Sequence, residues 1–390
     1  MRLARVIPAL GIAQIISWGS LFYAIAVLGE AMRTELRISA TWLFGAFTVG
    51  LFASGIVSPA VGRLVDARGG RVVLSWGSLL GAAALAVLAG AQGYATLFLG
   101  WTLAGVAMAA CLYDPAFATL HQLAATRYRR AVTALTLFGG FASTVFWPLS
   151  QWLLDRVGWR ETLWIYAALH ALVCLPLHAW CVPRPGEGTA ARDPIDTPSA
   201  SVALVPRSAS GVVFYALAAA LAAAAFLSST LSAHLISVLK SAGLSARDAV
   251  LVSSLIGPMQ VAGRIAEFAF GRRVSAISTG VLAFGLMTAG LLCLVFVDGL
   301  SAMAFAFALL YGWSNGVMTI VRGTVPAALF GRRDYGALLG RLALPAFFAK
   351  AIAPVAFTWL LAAEVSQASA LWVLVAVSVA ALAGYRWAVR

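Results

Sequence analysis

The chain is a succession of apolar runs, each close to the roughly 20 residues that carry a helix across about 30 Å of hydrocarbon at 1.5 Å per residue. Twelve can be read, over about 7–30, 41–62, 72–91, 94–118, 131–153, 162–182, 209–236, 247–270, 275–296, 301–325, 338–361 and 367–387. Composition supports the same conclusion. With 62% hydrophobic and 11% charged residues, a chain of 390 residues lacks the polar surface a soluble globule needs. The first run has no small-residue cleavage pattern behind it, so it is expected to stay as a span.

An even number of spans puts both termini on one side. If that side is the cytoplasm, the inner segments collect clusters such as Arg63, Arg68 and Arg71, then Arg127, Arg129 and Arg130, then Arg264, Arg272 and Arg273. The outer segments hold Arg33, Arg37, Arg156, Arg160, Lys240 and Arg247, an asymmetry of about threefold in favour of the inside. The net charge of +13 is thereby explained without nucleic acid as a partner. A multi-pass protein of the inner membrane with both termini cytoplasmic is expected. The one long polar segment, rich in Pro, Gly, Ser and Asp, lies over 183–208 and reads as a cytoplasmic linker between two six-helix bundles, 1–182 and 209–390.

Several function classes drop out. Cys111, Cys174, Cys181 and Cys293 show no metal-type pairing. No Ser/His/Asp arrangement, metal cluster or phosphate-binding glycine loop stands out, so neither an enzyme nor a cofactor is expected. Nothing calls for an oligomer, and a monomer is expected, its partners being the bilayer and a small solute.

Residues 62–74, GRLVDARGGRVVL, follow the second span; residues 263–275, GRIAEFAFGRRVS, follow the eighth. Each has Gly-Arg, an acid four residues after the Gly (Asp66, Glu267), then Gly and Arg. Such a repeat six spans apart is the internal symmetry of a transporter whose halves move around a central site. The chain resembles the major facilitator superfamily, whose signature between spans two and three is Gly-x-x-x-Asp-Arg-x-Gly-Arg-Arg. Gly62, Asp66, Gly69 and Arg71 match it, while Ala67 and Gly70 replace two basic positions. The resemblance implies an all-α integral membrane fold of twelve helices in two pseudo-symmetric bundles. It also implies that Gly62, Asp66, Gly69, Arg71 and, in the second half, Glu267 and Arg272 latch the cytoplasmic side. The late Pro148 and the Gly-Trp-Arg at 158–160 resemble the monocarboxylate transporter and oxalate:formate antiporter branches, and the marks of drug:proton antiporters are missing.

In span eight, Ser253, Gly257, Gln260, Arg264 and Glu267 recur at spacings of four and three, a polar stripe too costly to face lipid and expected to line a wet cavity. Arg264 is read either as a substrate contact or as the partner of Glu267. Tyr311 and Asn315 form a similar stripe in span ten, and Gln14, Trp18 and Tyr23 share a face of span one. Asp114, ahead of Pro115 in span four, is read as an inner-gate partner for nearby arginines rather than a proton carrier. Gln260 stands where the monocarboxylate branch carries an acid, which counts against proton symport. In span two, Gly50, Ser54, Ser58 and Gly62 recur every four residues as a packing seam.

Lys350, one of two lysines in the chain, sits in the apolar stretch LPAFFAKAIAPVAF near the midplane of span eleven. It is too deep for its stem to reach either interface easily. Helical side chains lean toward their own N-terminus, so Lys350 and Arg264, on oppositely directed helices, converge on one depth. A span-eleven lysine with a span-eight arginine resembles the anion site of the oxalate:formate antiporter branch. The leading expectation is a secondary active or facilitative transporter of a small organic anion, working by alternating access. The alternative is a proton-coupled efflux transporter for drugs, metalloid compounds or other toxic solutes.

Overall fold

The computed structural model of the protein describes residues 3–124, 127–184, 211–331, 334–362 and 366–390. The linker expected over 183–208 falls, from residue 185 onward, outside the described residues, and so does the side chain of Arg272. The described residues form helices and connections, with no strand among them.

Eleven helical stretches are long and apolar enough to cross a membrane among the described residues. We label α1 (Leu3–Leu36), α2 (Ala40–Arg68), α3 (Gly70–Ala89) and α4 (Tyr94–Ala124). The next, Tyr128–Cys181, has 54 residues, which as one straight helix would run about 80 Å. It does not run straight. Gly158 leaves the helix at φ 85° and ψ 174°, a conformation nearly closed to residues with a Cβ. Tyr166 then returns to bond Ser150 at 2.6 Å and to set its ring 5.3 Å from Phe146. Residues sixteen or more apart could not meet along one straight helix, so this stretch is two antiparallel spans, α5 (128–157) and α6 (159–181). The second half adds α7 (Gly211–Ser241), α8 (Ala246–Phe270), α9 (Ala276–Val295), α10 (Ala302–Phe330), α11 (Tyr335–Ala362) and α12 (Gln367–Ala388). The expected twelve spans are therefore present. Most helices outrun the apolar window read from sequence, α1 by four residues at one end and six at the other, because a helix need not stop where hydrocarbon does.

Buried apolar side chains gather in two clusters, one spanning α1 to α6, the other α7 to α12. The first also takes in Tyr335, Leu339, Ala343, Phe347 and Ala351 of α11, the helix that closes against α2. That closure is made by small residues. A Cβ at Gly62 would run into the carbonyl of Gly336, and one at Gly340 into the carbonyl of Ser58. The expected α2 seam thus splits: Ser58 and Gly62 face α11, whereas Gly50 packs backbone to backbone on Trp101 and Gly105 of α4.

Candidate functional site

α1 is not α-helical throughout. Trp18–Tyr23 forms a π-helical turn, a distortion frequent at functional sites. The turn groups three aromatic rings, with Trp18 5.2 Å from Phe22 and 6.1 Å from Tyr23, and Phe22 5.3 Å from Tyr23. Against them, from the other half, comes Lys350 of α11. Its Nζ stands 5.9 Å from the centroids of Trp18 and Phe22 and 5.7 Å from Phe347. Among the described residues the ammonium has no hydrogen-bond or ion-pair partner; ring faces surround it, and the Asp114 carboxylate acts on it only at a distance. A cation solvated this sparingly within a membrane span has a strong appetite for an anion.

Arg264 is buried, and its Nε donates to the carbonyl of Gly316 at 3.3 Å. It lies against Gly140 of α5 and within electrostatic reach of Tyr23 and Tyr113. Of the two sequence readings, pairing with Glu267 is not what forms. Glu267 is held by Arg129 of α5 across the halves, with Nε at 2.7 Å and Nη2 at 2.6 Å, and Arg129 also binds the Val274 carbonyl and Thr279. Arg264 is left facing the centre, six residues before the end of α8. Arg322, eight before the end of α10, makes an ion pair with Asp114 of α4 across the halves.

Below this level the halves are shut. Asp66 accepts from the backbone amides of Gly336 and Ala337, at the start of α11, instead of joining an arginine relay. Tyr128 and Tyr335 both donate to the carbonyl of Gly323, and His121 stacks on Tyr335 at 4.1 Å. Gly69 makes the α2–α3 turn at φ 80°, and Arg71 lies apart, lining a shallow groove with Ser75 and Trp76. Among the described residues, every hydrogen bond, ion pair and ring contact between the halves lies between Lys350 and the arginine-rich end.

The remaining sequence candidates separate by what their polar atoms already do. Gln260 is partly exposed and its amide has no partner among the described residues. The side-chain amide of Asn315 has, among the described residues, only a long 3.4 Å contact, accepted from Ser228. Tyr311 is buried and stacked on Phe307, 5.4 Å away. Gln14 is fully buried and spent: its Nε2 donates to the Cys111 carbonyl at 2.7 Å, and its Oε1 accepts from Trp18 at 3.1 Å. Pro115 explains this, since it has no N–H to offer the carbonyl four residues before it, and α4 breaks at Leu112 (ψ −156°). Sequence reading missed Phe22, Phe347 and Tyr113, whose ring lies 5.2 Å from Trp18. For Tyr113 the signal was available in its place just before Asp114-Pro115.

The profile of the Major Facilitator Superfamily matches residues 10–267, two thirds of the chain. The chain belongs to the major facilitator superfamily. It is a transporter and not an enzyme. No curated protein matches its sequence. Solved structures share the fold at low identity: the human organic anion transporter MFSD10 (TETRAN) at 16% identity and TM-score 0.70, each chain covered completely. The superfamily transporter FucP in the outward conformation matches at 14% and 0.75, covering all of this chain and 99% of that one. A bacterial homologue of the iron transporter ferroportin, in an outward-facing state with soaked iron, matches at 17% and 0.72, with 99% and 100% covered.

Proposed function

We propose that this transporter carries a small organic anion, a carboxylate first of all, by alternating access, with the arginine-rich end in the cytoplasm. The observation that carries this reading is the Lys350 ammonium, set among aromatic faces near the middle of α11 with no hydrogen-bond or ion-pair partner among the described residues. Arg264, bound to a single carbonyl, adds a second cation from α8. Trp18, Tyr23, Gln260, Tyr311 and Asn315 provide the surrounding shape and hydrogen-bonding capacity. The confinement of cross-half contacts to the basic end, taken with that end in the cytoplasm, supports reading this form as outward-facing. The branch resemblance to monocarboxylate and oxalate:formate transporters agrees with both cationic positions. An efflux role for lipophilic cations would place substrate beside Lys350 and Arg264, where like charges repel at several kcal/mol.

The test is counterflow of radiolabelled lactate and oxalate in proteoliposomes, alongside a lipophilic cation. Exchange of either carboxylate supports the reading; movement of the cation alone, driven by a proton gradient, overturns it.

A further inference from the structure

Asp114 uses one oxygen and not the other. Its Oδ2 pairs with Arg322, while Oδ1 is buried without a hydrogen-bond partner among the described residues. An idle carboxylate oxygen inside a membrane protein is costly, so its setting is informative. Lys350 lies within electrostatic reach of both Asp114 and Arg322. On another side, Asp114 borders a cavity of about 10 Å³ closed in by Ser58, Gly62, Gly336 and Gly340, the small residues of the α2–α11 seam. That is about the room a single water occupies.

We infer that Asp114 is the proton site of this carrier, taking up a proton together with the anion and releasing it through the α2–α11 seam when the basic end opens. The inference rests on the central cations being an anion site. An ionised Asp114 and a substrate anion draw on the same cations, Lys350 and Arg322. Protonation of Oδ1 frees Arg322 and strengthens anion binding; by linkage, bound anion strengthens proton binding equally. Proton and anion therefore travel in the same direction. The proton comes from water on the outer side, forms one O–H bond on Asp114, and leaves to water on the basic side, with no other bond made or broken.

The groups around Asp114 permit this. α10 presents Arg322, α11 presents Lys350 and Tyr335, and α5 presents Tyr128. α2 contributes the hydroxyl of Ser58, and on α4 itself His121 is stacked against Tyr335. The nearest second carboxylate on the seam among the described residues, Asp66 of α2, is already held by the backbone amides of Gly336 and Ala337. The Asp114 to Arg322 pair also ties α4 to α10 across the halves, so protonation loosens the closed basic end at the step when it must open.

Two assays on reconstituted full-length protein decide the matter, with labelled lactate and oxalate as probes. Wild type should accumulate the exchanged anion when the outside is acid, and its apparent affinity should fall by up to about tenfold per pH unit on the alkaline limb, the limit for one coupled proton. In Asp114→Asn, gradient-driven accumulation should disappear while counterflow continues with its pH dependence flattened. Should that variant not fold, detergent-solubilised wild type in weak buffer should take up about one proton per anion bound. Wild type that counterflows an anion without proton-driven accumulation overturns the inference and leaves the anion reading standing, as does retained accumulation in Asp114→Asn. Absence of anion counterflow in wild type overturns both.

Discussion

Asp66 of α2 caps the first turn of α11, accepting from the amide of Gly336 at 2.8 Å and of Ala337 at 2.7 Å. The carboxylate thus meets the positive end of a helix in the opposite half, an interaction worth about 1–2 kcal/mol when partly buried. It exists only while the basic end is closed. Asp66→Asn keeps the shape and loses the charge, which should move the equilibrium toward the inward-open form by about 5- to 30-fold. Ser58→Cys, 3% exposed in the α2–α11 seam, reports this in a background with the native cysteines replaced. An impermeant thiol reagent on the basic side should label it slowly with Asp66 intact and quickly with Asp66→Asn. Equal rates would deny Asp66 a latch role.

Lys350 and Arg264 should prove unequal to any neutral replacement. Removing a cation that meets an anion away from bulk water costs on the order of 3 kcal/mol, about 100-fold in affinity. Lys350→Ala and Arg264→Ala should each lose anion counterflow while remaining monodisperse on size exclusion. Lys350→Arg should keep some, since the charge remains but the planar fork fits ring faces differently. Undiminished counterflow in Lys350→Ala would remove that lysine from the site.

The number of spans, the basic end and the two deep cations were legible in the sequence because hydropathy and charge are local properties of a helix. Partners across the interface were not. Glu267 lies one turn from Arg264 in sequence, yet its partner is Arg129, 138 positions away. Asp66 belongs to an arginine-rich motif, yet binds backbone amides, which carry no residue label to read. The π-helical turn at Trp18–Tyr23, packed against Phe146 of α5, Tyr113 of α4 and Lys350 of α11, likewise leaves no periodic trace.

Gly158 offers a test of the fold independent of transport. At φ 85° and ψ 174° the α5–α6 turn occupies a region essentially reserved for glycine, so Gly158→Ala should cost about 1–3 kcal/mol. The change should appear as a lower unfolding midpoint in a denaturing-detergent titration. Protein that remains folded should bind anion with wild-type affinity, because the turn lies at the far end of the bundle from Asp66 and away from Lys350. An unchanged midpoint would mean the hairpin turns elsewhere.

Gln14 separates a lining role from a structural one. Residue type and face placed it with Trp18 and Tyr23 as a substrate contact, but its amide joins the Cys111 carbonyl released by Pro115 to the indole of Trp18. Gln14→Leu would strand that carbonyl and cost about 1–3 kcal/mol, the penalty for a buried polar group without a partner. Thermal unfolding in detergent should therefore shift downward, whereas anion affinity at permissive temperature should change by less than about threefold, since Lys350 and Arg264 are untouched. Ala in place of Pro115 restores an N–H to the carbonyl four residues back, so Gln14→Leu should be better tolerated in a Pro115→Ala background. A large loss of affinity without a loss of stability would return Gln14 to the substrate site.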